Sequence, residues 1–300
     1  MTYFKKVAAI TASFLTLASA ANANETNWQI TLEALTLDRA GMGSVPLVVN
    51  GGGVQLSADE LDIGFGAGAK LTAYKDISSA DSVGIEFFFV DQMDVSATFS
   101  NADAQFTVYG ADFGSAVDNL EYETDIYSFE VNWRHQISSG PFRAIAGLRA
   151  IQNNEMMIVS DGVSPPDLFI GDLENQMFGL QIGLETSAAI TNRLTLDAGI
   201  KAGFFNNSGT FDAAFPQAGP SAVFHSEMSY SASTLEFALG ASYQVNDRIS
   251  ANIGYQVMMI NGIAVLPEQL DDLAVPILGE LDMDGHVIYQ GLSLGIRYVW

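Results

Sequence analysis

Apolar and polar residues alternate with a period of two along most of this chain. In RLTLDAGIKAGFF, Leu194, Leu196, Ala198, Ile200, Ala202 and Phe204 alternate with Thr195, Asp197, Gly199, Lys201 and Gly203. That is strand spacing, because successive side chains of a strand point to opposite faces of its sheet. The same alternation sets Phe178, Leu180, Ile182 and Leu184 against Gly179, Gln181, Gly183 and Glu185, and Leu235, Phe237, Leu239 and Ala241 against Glu236, Ala238, Gly240 and Ser242. No amphipathic helix of any length stands out. The pattern predicts strands at residues 28–38, 61–74, 80–92, 122–137, 141–157, 175–189, 193–207, 230–245, 248–262 and 285–300.

The connections between these ten strands are of two kinds. Short ones fall at KDISSA, ISSG, ITN and VND, long ones near 39–60, 93–121, 158–174, 208–229 and 263–284, and the two kinds alternate without exception. An even number of strands with short turns at one end and long loops at the other is the layout of an outer-membrane barrel. The expected fold class is therefore all-β: a single transmembrane antiparallel up-and-down β-barrel of ten strands, with short periplasmic turns, long acidic extracellular loops and both termini in the periplasm. Twelve strands is the alternative, since AQFTVYGADF within the third-to-fourth connection could fold back as an extra hairpin. The last strand, 285–300, ends on an apolar face of Leu292, Leu294, Ile296, Tyr298 and Trp300. A barrel has no free edge, so this strand is expected to pair with the first and turn that face to lipid. An alternating final strand with a terminal aromatic is also the kind of signal read by barrel assembly machinery. A secreted β-sandwich, with one core face and one wet face, predicts neither the loop asymmetry nor the terminal aromatic.

Composition changes the picture in three ways. MTYFKK is a short basic region, VAAITASFLTLASA an apolar one, and ASAANA offers small residues at cleavage spacing, the marks of a secretory signal. Cleavage is expected after Ala23, with Ala20 as the second choice, which makes residues 1–23 a leader and 24–300 the barrel. The apolar run is too short for a spanning helix, which takes roughly 20 residues. The formal charge of the whole chain is −23, and loss of Lys5 and Lys6 leaves ten bases against 35 acids, or −25. Such a surface repels phosphate backbones and excludes nucleic acid as a natural partner. There is no cysteine, so the fold holds together without disulfides or thiolate metal sites.

The ten bases are placed unevenly. Lys70, Arg134, Arg143, Arg149, Lys201 and Arg297 fall on the polar face of a strand, which inside a barrel is the lumen, while Lys75, Arg193 and Arg248 sit at short turns. Only Arg39 lies near a long loop, and the lipid face carries no base. A hydrocarbon solvent demands this, since a lipid-facing Arg or Lys at mid-bilayer costs roughly 2–4 kcal/mol. Glu33, Glu86, Glu130, Glu185, Asp197 and Glu236 share the lumen face. Folding the hairpins about their turns sets Lys70 opposite Glu86, Glu130 diagonal to Arg149, and Arg134 facing Arg143 near the periplasmic mouth, all within reach of long side chains. The network is either ion-pair filling of a narrow barrel or a charged constriction on a permeation path. Size scaling favours filling, because eight strands leave an interior that side chains just fill and open channels come at about 16–18. Lumen glycines at 64, 66, 68, 179, 183, 291 and 295 remove interior volume, which allows either a small pore or tight bending.

Trp28, Trp133, Tyr243, Tyr298 and Trp300 near strand ends suit an interfacial girdle. DNLEYETD and PEQLDDLAVPILGELDMDGH place an acid excess in the long loops, predicting a polyanionic outer cap that suits divalent cations such as calcium. DMDG at 282–285 lacks the ligand spacing and terminal glutamate of an EF-hand, so solvated loop charge is the simpler reading. His135 falls beside a short turn, and His225 and His286 lie near Ser226, Glu227 and Asp284, which would supply parts of a hydrolase site. No G-x-S-x-G nucleophile motif is present, so the chain is not read as an enzyme, and neither a cofactor nor a dedicated metal site is assigned.

NQMFGLQIGLE at 175–185, IKAGFFNN at 200–207, GYQVMMINGIAVLPEQL at 254–270 and the closing HVIYQGLSLGIRYVW, with EVNWRH followed by AGLRAI, resemble the beta-barrel porin 7 type of bacterial outer-membrane protein and, more distantly, major-outer-membrane-protein-like pore formers. The resemblance covers the chain from about residue 122 onward, and residues 24–121 only in layout. It implies an outer-membrane barrel of porin character and assigns no substrate and no functional residue. The functional expectation is a lipid-embedded outer-membrane barrel acting as a narrow passive pore with a charged lumen and acidic loops. The alternative is a non-conducting surface barrel whose acidic loops bind a cation, a matrix component or another cell, and a loop-borne hydrolase comes third.

Overall fold

The computed structural model describes residues 28–51, 53–100, 103–108, 111–137, 140–162, 167–216, 223–272 and 281–300, so the expected leader lies outside the described residues. In chain order the elements are β1 (Trp28–Ala40), β2 (Pro46–Asn50), β3 (Gly53–Ser57), β4 (Gly66–Asp76), β5 (Asp81–Thr98), β6 (Ala104–Val108), β7 (Ala111–Ala116), β8 (Asn119–Gln136), β9 (Phe142–Ser160), β10 (Asp167–Ala189), β11 (Leu194–Ala214), β12 (Val223–Gln244), β13 (Ile249–Ile263), α1 (Leu266–Asp272) and β14 (Gly285–Val299). Ten of the strands close into an antiparallel barrel in the order β1, β14, β13, β12, β11, β10, β9, β8, β5, β4, with β4 returning to β1. The first and last barrel strands meet: Trp28 and Trp300 exchange backbone hydrogen bonds at 3.0 and 3.1 Å, and their rings stack at 6.2 Å. Among the described residues no helix is long and apolar enough to cross a membrane.

Each long strand reverses its hydrophobic phase part-way along. Near the short turns, β8 turns Phe129, Val131 and Trp133 outward and Ser128, Glu130 and Asn132 inward. Toward the long connections the same strand turns Glu121, Glu123 and Asp125 outward and buries Leu120, Tyr122 and Ile126 inside. β11 does likewise: Leu196, Ile200 and Phe204 face out in its first half, and Phe205, Phe211 and Ala213 face in over its second. One half of the barrel is thus greasy outside and polar inside, and the other half has an apolar core within a polar wall.

That core is completed by the connections. AQFTVYGADF does form a hairpin, but it adds no strand to the barrel. β6 and β7 join β2 and β3 in a separate four-stranded sheet of order β3, β2, β6, β7, whose Leu47, Val48 and Phe106 belong to the same buried cluster as the barrel's Leu35, Tyr122 and Val287. One short helix, α1, of seven residues, packs within this core. Pro267 at its start gives up an N–H that has no intrahelical partner in any case, and Leu266 and Leu270 are fully buried. The lumen glycines at 68, 179 and 291 answer to backbone approach and not to pore space. A Cβ there would overlap the carbonyl oxygens of Phe89, Phe204 and Thr36 on the facing strands, so the tightly coiled wall of a narrow barrel requires glycine.

Candidate functional site

The lumen is layered, and its waist is ionic. β4, β5, β8, β9, β11 and β12 each send one long charged side chain inward: Lys70, Glu86, Glu130, Arg149, Lys201 and Glu236. Lys70 lies 2.8 Å from Glu86. Lys201 reaches Glu86 at 3.4 Å, Glu130 at 3.0 Å and Glu236 at 3.1 Å. Arg149 reaches Glu130 at 3.2 Å and Glu236 at 2.9 Å, with no exposure of its side chain. Neutral dipoles fill in the rest: Asn132 and Gln181 donate to Glu130 at 2.8 and 2.6 Å, and Arg149 donates to Ser128 at 2.9 Å. Three cations meet three carboxylates, as desolvation requires, because an uncompensated ion taken out of water costs several kcal/mol.

The pairings differ in register from the expectation. Lys70 stands opposite Phe88, with Glu86 one diagonal step away opposite Thr72. Glu130 and Arg149 are directly opposite and not diagonal, while Arg134 faces Ile145 and Arg143 faces Gln136. Side-chain length absorbs the difference, since diagonal neighbours on one sheet face are within reach of Lys, Arg and Glu.

Between this layer and the short turns is a vestibule. Arg134 and Arg143 hold the two oxygens of Glu185 at 3.0 and 3.1 Å, and the Arg134 guanidinium lies 3.3 Å over the Tyr74 ring. Asp197 accepts from Ser187 at 2.6 Å and Ser242 at 2.9 Å, with Arg297 farther off at 3.9 Å. Glu33 accepts from Ser293 at 3.0 Å. These groups line a cavity of about 480 Å³. The aromatics Trp133, Tyr243, Tyr298 and Trp300 ring this end on the outside, each more than a third exposed, and Trp28 sits among them against Lys75 and Trp300.

On the other side of the waist the lumen is shut by apolar side chains around one polar knot that sequence reasoning missed. Arg39 is not a loop base: fully buried, it pairs with Glu155 and donates to Tyr122. Tyr122 donates to Glu155 at 2.7 Å, and the backbone N–H of Leu266 donates to the same carboxylate at 2.8 Å. Glu155 thereby fastens the start of α1 inside the barrel. Asn175 accepts from the Ala264 N–H and donates to the Ala264 carbonyl, both at 2.9 Å, and so anchors the segment leading into α1. The available signal was strand parity, which puts Arg39 on the face of Leu35 and Leu37, and Glu155 on the face of Arg149 and Ile151.

The acids expected in loops are otherwise placed. Most of DNLEYETD lies in β8, where Glu123 and Asp125, together with Asp91 of the adjacent β5, bring carboxylate oxygens within 4.8 Å of one another on the outer wall. Glu268 is half-buried and accepts from the Gly43 N–H at 3.1 Å. Residues 273–280 of the second acidic stretch lie outside the described residues. His135 bonds Asp81 at 2.8 Å beside a short turn. His225 bonds Asp212 at 2.8 Å on the outer wall, where its neighbour Ser226 points to the opposite face. His286 is exposed.

The sequence matches no protein-family model and no curated protein. The fold does resemble solved barrels. The outer-membrane protease OmpT from Escherichia coli aligns with a TM-score of 0.56 at 12% identity, covering 93% of this chain and 98% of that one. The translocator domain of the autotransporter NalP from Neisseria meningitidis aligns at 0.46 and 9% identity over 99% and 97% of the two chains. A major outer-membrane protein from Thermus thermophilus aligns at 0.37 and 11% identity over 92% and 100%. At such identity the first of these likenesses speaks to fold alone: a closed ten-stranded barrel of the outer-membrane kind.

Proposed function

We propose that this protein resides in a bacterial outer membrane as a barrel that does not conduct in the conformation described, with its short turns in the periplasm and its capped, acidic end at the cell surface. The outward band of Leu180, Ile182, Leu239, Leu292, Leu294 and Ile296 supports the membrane setting, since each is more than half exposed and a patch of that extent in water would be an aggregation site. The observation that carries the non-conducting reading is the waist. Arg149 and Glu130 fill it with at most 1% exposure, and the apolar core with α1 lies beyond. This favours a surface barrel over the narrow passive pore, and the acidic outer wall makes a cationic partner the natural one. A non-catalytic role fits His225, whose partner is Asp212 with the Ser226 hydroxyl on the other face. Kinship with the beta-barrel porin 7 type, and insertion through β14, belong to the same proposal.

The test is conductance of the refolded, full chain in a planar bilayer. Silent insertions of correctly folded barrel are the expected result. Steady ohmic steps from the unmodified protein, altered by Lys201→Glu, overturn the reading and restore the pore.

A further inference from the structure

The vestibule has a built interior that the filled half of the lumen lacks. One wall, on β11, β12 and β13, carries Gly199, Ala238, Gly240 and Gly254, so the space before it is kept empty. Gly199 is not there for the backbone: an added Cβ would meet nothing nearer than 3.8 Å, in contrast to the glycines that the strands force. In that wall Asn252 is 6% exposed, and neither its Oδ1 nor its Nδ2 has a hydrogen-bond partner. A buried carboxamide with both ends unmet is rare in native proteins and is commonly explained by a ligand or water that completes it. Asn252 is flanked by Gly254 along its own strand and Gly295 opposite, with Ser293 Oγ lying over the first and the Glu33 stem over the second.

One cation beside it selects the guest. The three vestibule arginines, Arg134, Arg143 and Arg297, are balanced by Glu33, Glu185 and Asp197, and Arg134 and Arg143 are both taken up by Glu185. Arg297 stands 3.9 Å from Asp197, too far for a direct hydrogen bond, so its donors are open to an incoming carboxylate. Arg297 is also the diagonal neighbour of Asn252 across β13 and β14, since Gly295 is the residue opposite Asn252, so one small molecule can touch both.

We propose that the vestibule binds a small carboxylate that also bears amide or hydroxyl groups, with Arg297 holding the carboxylate and Asn252 the amide or hydroxyl. A cavity of about 480 Å³ is of the size used for such ligands. The probe is N-acetylmuramic acid, which has a carboxylate, an acetamide and hydroxyls, compared with N-acetylglucosamine, which lacks the carboxylate. Each is titrated into the full chain in detergent micelles and followed by ligand-observed NMR and calorimetry. The acid is expected to bind about tenfold tighter than the neutral sugar, Arg297→Gln to erase that preference, and Asn252→Leu to weaken both by about tenfold or more. Gly199→Leu, which fills the cavity from a position with room for a Cβ, is expected to abolish both while leaving heat-modifiable gel migration intact. No binding of the acid by ~10 mM, or equal binding to the folded Gly199→Leu variant, overturns the proposal. The outcome is separate from conductance: a barrel that conducts can still bind the acid, and a silent one can fail to.

Discussion

Removing Arg149 tests the ionic waist most directly. Arg149→Met keeps most of the side-chain volume but deletes a guanidinium that contacts Glu130 at 3.2 Å, Glu236 at 2.9 Å and Ser128 at 2.9 Å with no exposure to solvent. The layer then holds two cations, Lys70 and Lys201, against three carboxylates, and Lys201 alone bridges Glu130 and Glu236. Breaking a buried pair from one side costs about 3–5 kcal/mol, because the remaining charge is left without compensation. Adding Glu236→Gln restores neutrality, leaving Glu130 to Lys201, Asn132 and Gln181. The double variant should therefore recover roughly 1–3 kcal/mol relative to the sum of the single losses. Urea unfolding of the protein in phospholipid vesicles, read by tryptophan fluorescence and by heat-modifiable migration, measures all three. A loss under about 1 kcal/mol for Arg149→Met, or simple additivity in the double variant, would show that water reaches the waist and would refute the reasoning.

The outward band is tested by a pair of arginines: Leu180→Arg, at a position 66% exposed on the greasy half, should cost roughly 2–4 kcal/mol in vesicles, whereas Thr210→Arg, outward on β11 past the phase reversal, should change stability little. Gly179→Ala would drive a methyl group into the Phe204 carbonyl and should lower stability by about 1–3 kcal/mol in the same assay, the usual cost of overpacking. The Glu268 carboxyl is pushed up to about 7 by burial and by the nearby Asp282 and Glu155, against the opposing Gly43 N–H. Its folded value lies above the ordinary 4.5, so the folded form binds the proton more tightly. This group's contribution is fully present below about pH 4.5 and is lost as pH rises through about 7. Amide exchange across 264–272 should accordingly be slower at pH 5 than at pH 8 beyond the intrinsic pH effect, and Glu268→Gln should flatten the difference.

What can be read from the sequence, and what cannot, follows from the phase reversal. The short-turn ends are legible because both neighbours of each turn share one phase there: β10 ends at Ala189 and β11 begins at Leu194, against predicted limits of 189 and 193. At the other end a single-phase reading stops where apolar residues change faces, as at Phe204 and Phe205. It therefore ends the strand at 207 where β11 runs to Ala214, and begins one at 175 where β10 begins at Asp167. The inward direction of Lys70, Glu86, Glu130, Arg149, Lys201 and Glu236 needs only parity within a strand, which no error of register disturbs. Partner identity needs the turn centre, and a small shift there moves Lys70 from Glu86 to Phe88.

The same reasoning explains why the half away from the short turns reads as open loop. An acid-rich stretch beyond a membrane strand looks solvated when each residue is weighed singly, yet in β8 every second position of NLEYETDI is Leu120, Tyr122, Thr124 or Ile126, all buried. Counting alternate positions separately exposes a second amphipathic segment of opposite hand, and with it a core inside the barrel mouth. Once that core exists, a base entering it must find a buried acid, and the inward parity of Arg39 on β1 points to a carboxylate of like parity elsewhere. Glu155, separated from it by 116 residues, supplies that carboxylate and also accepts from the backbone of α1. The charge that anchors the cap is thus the charge that the apolar filling makes necessary.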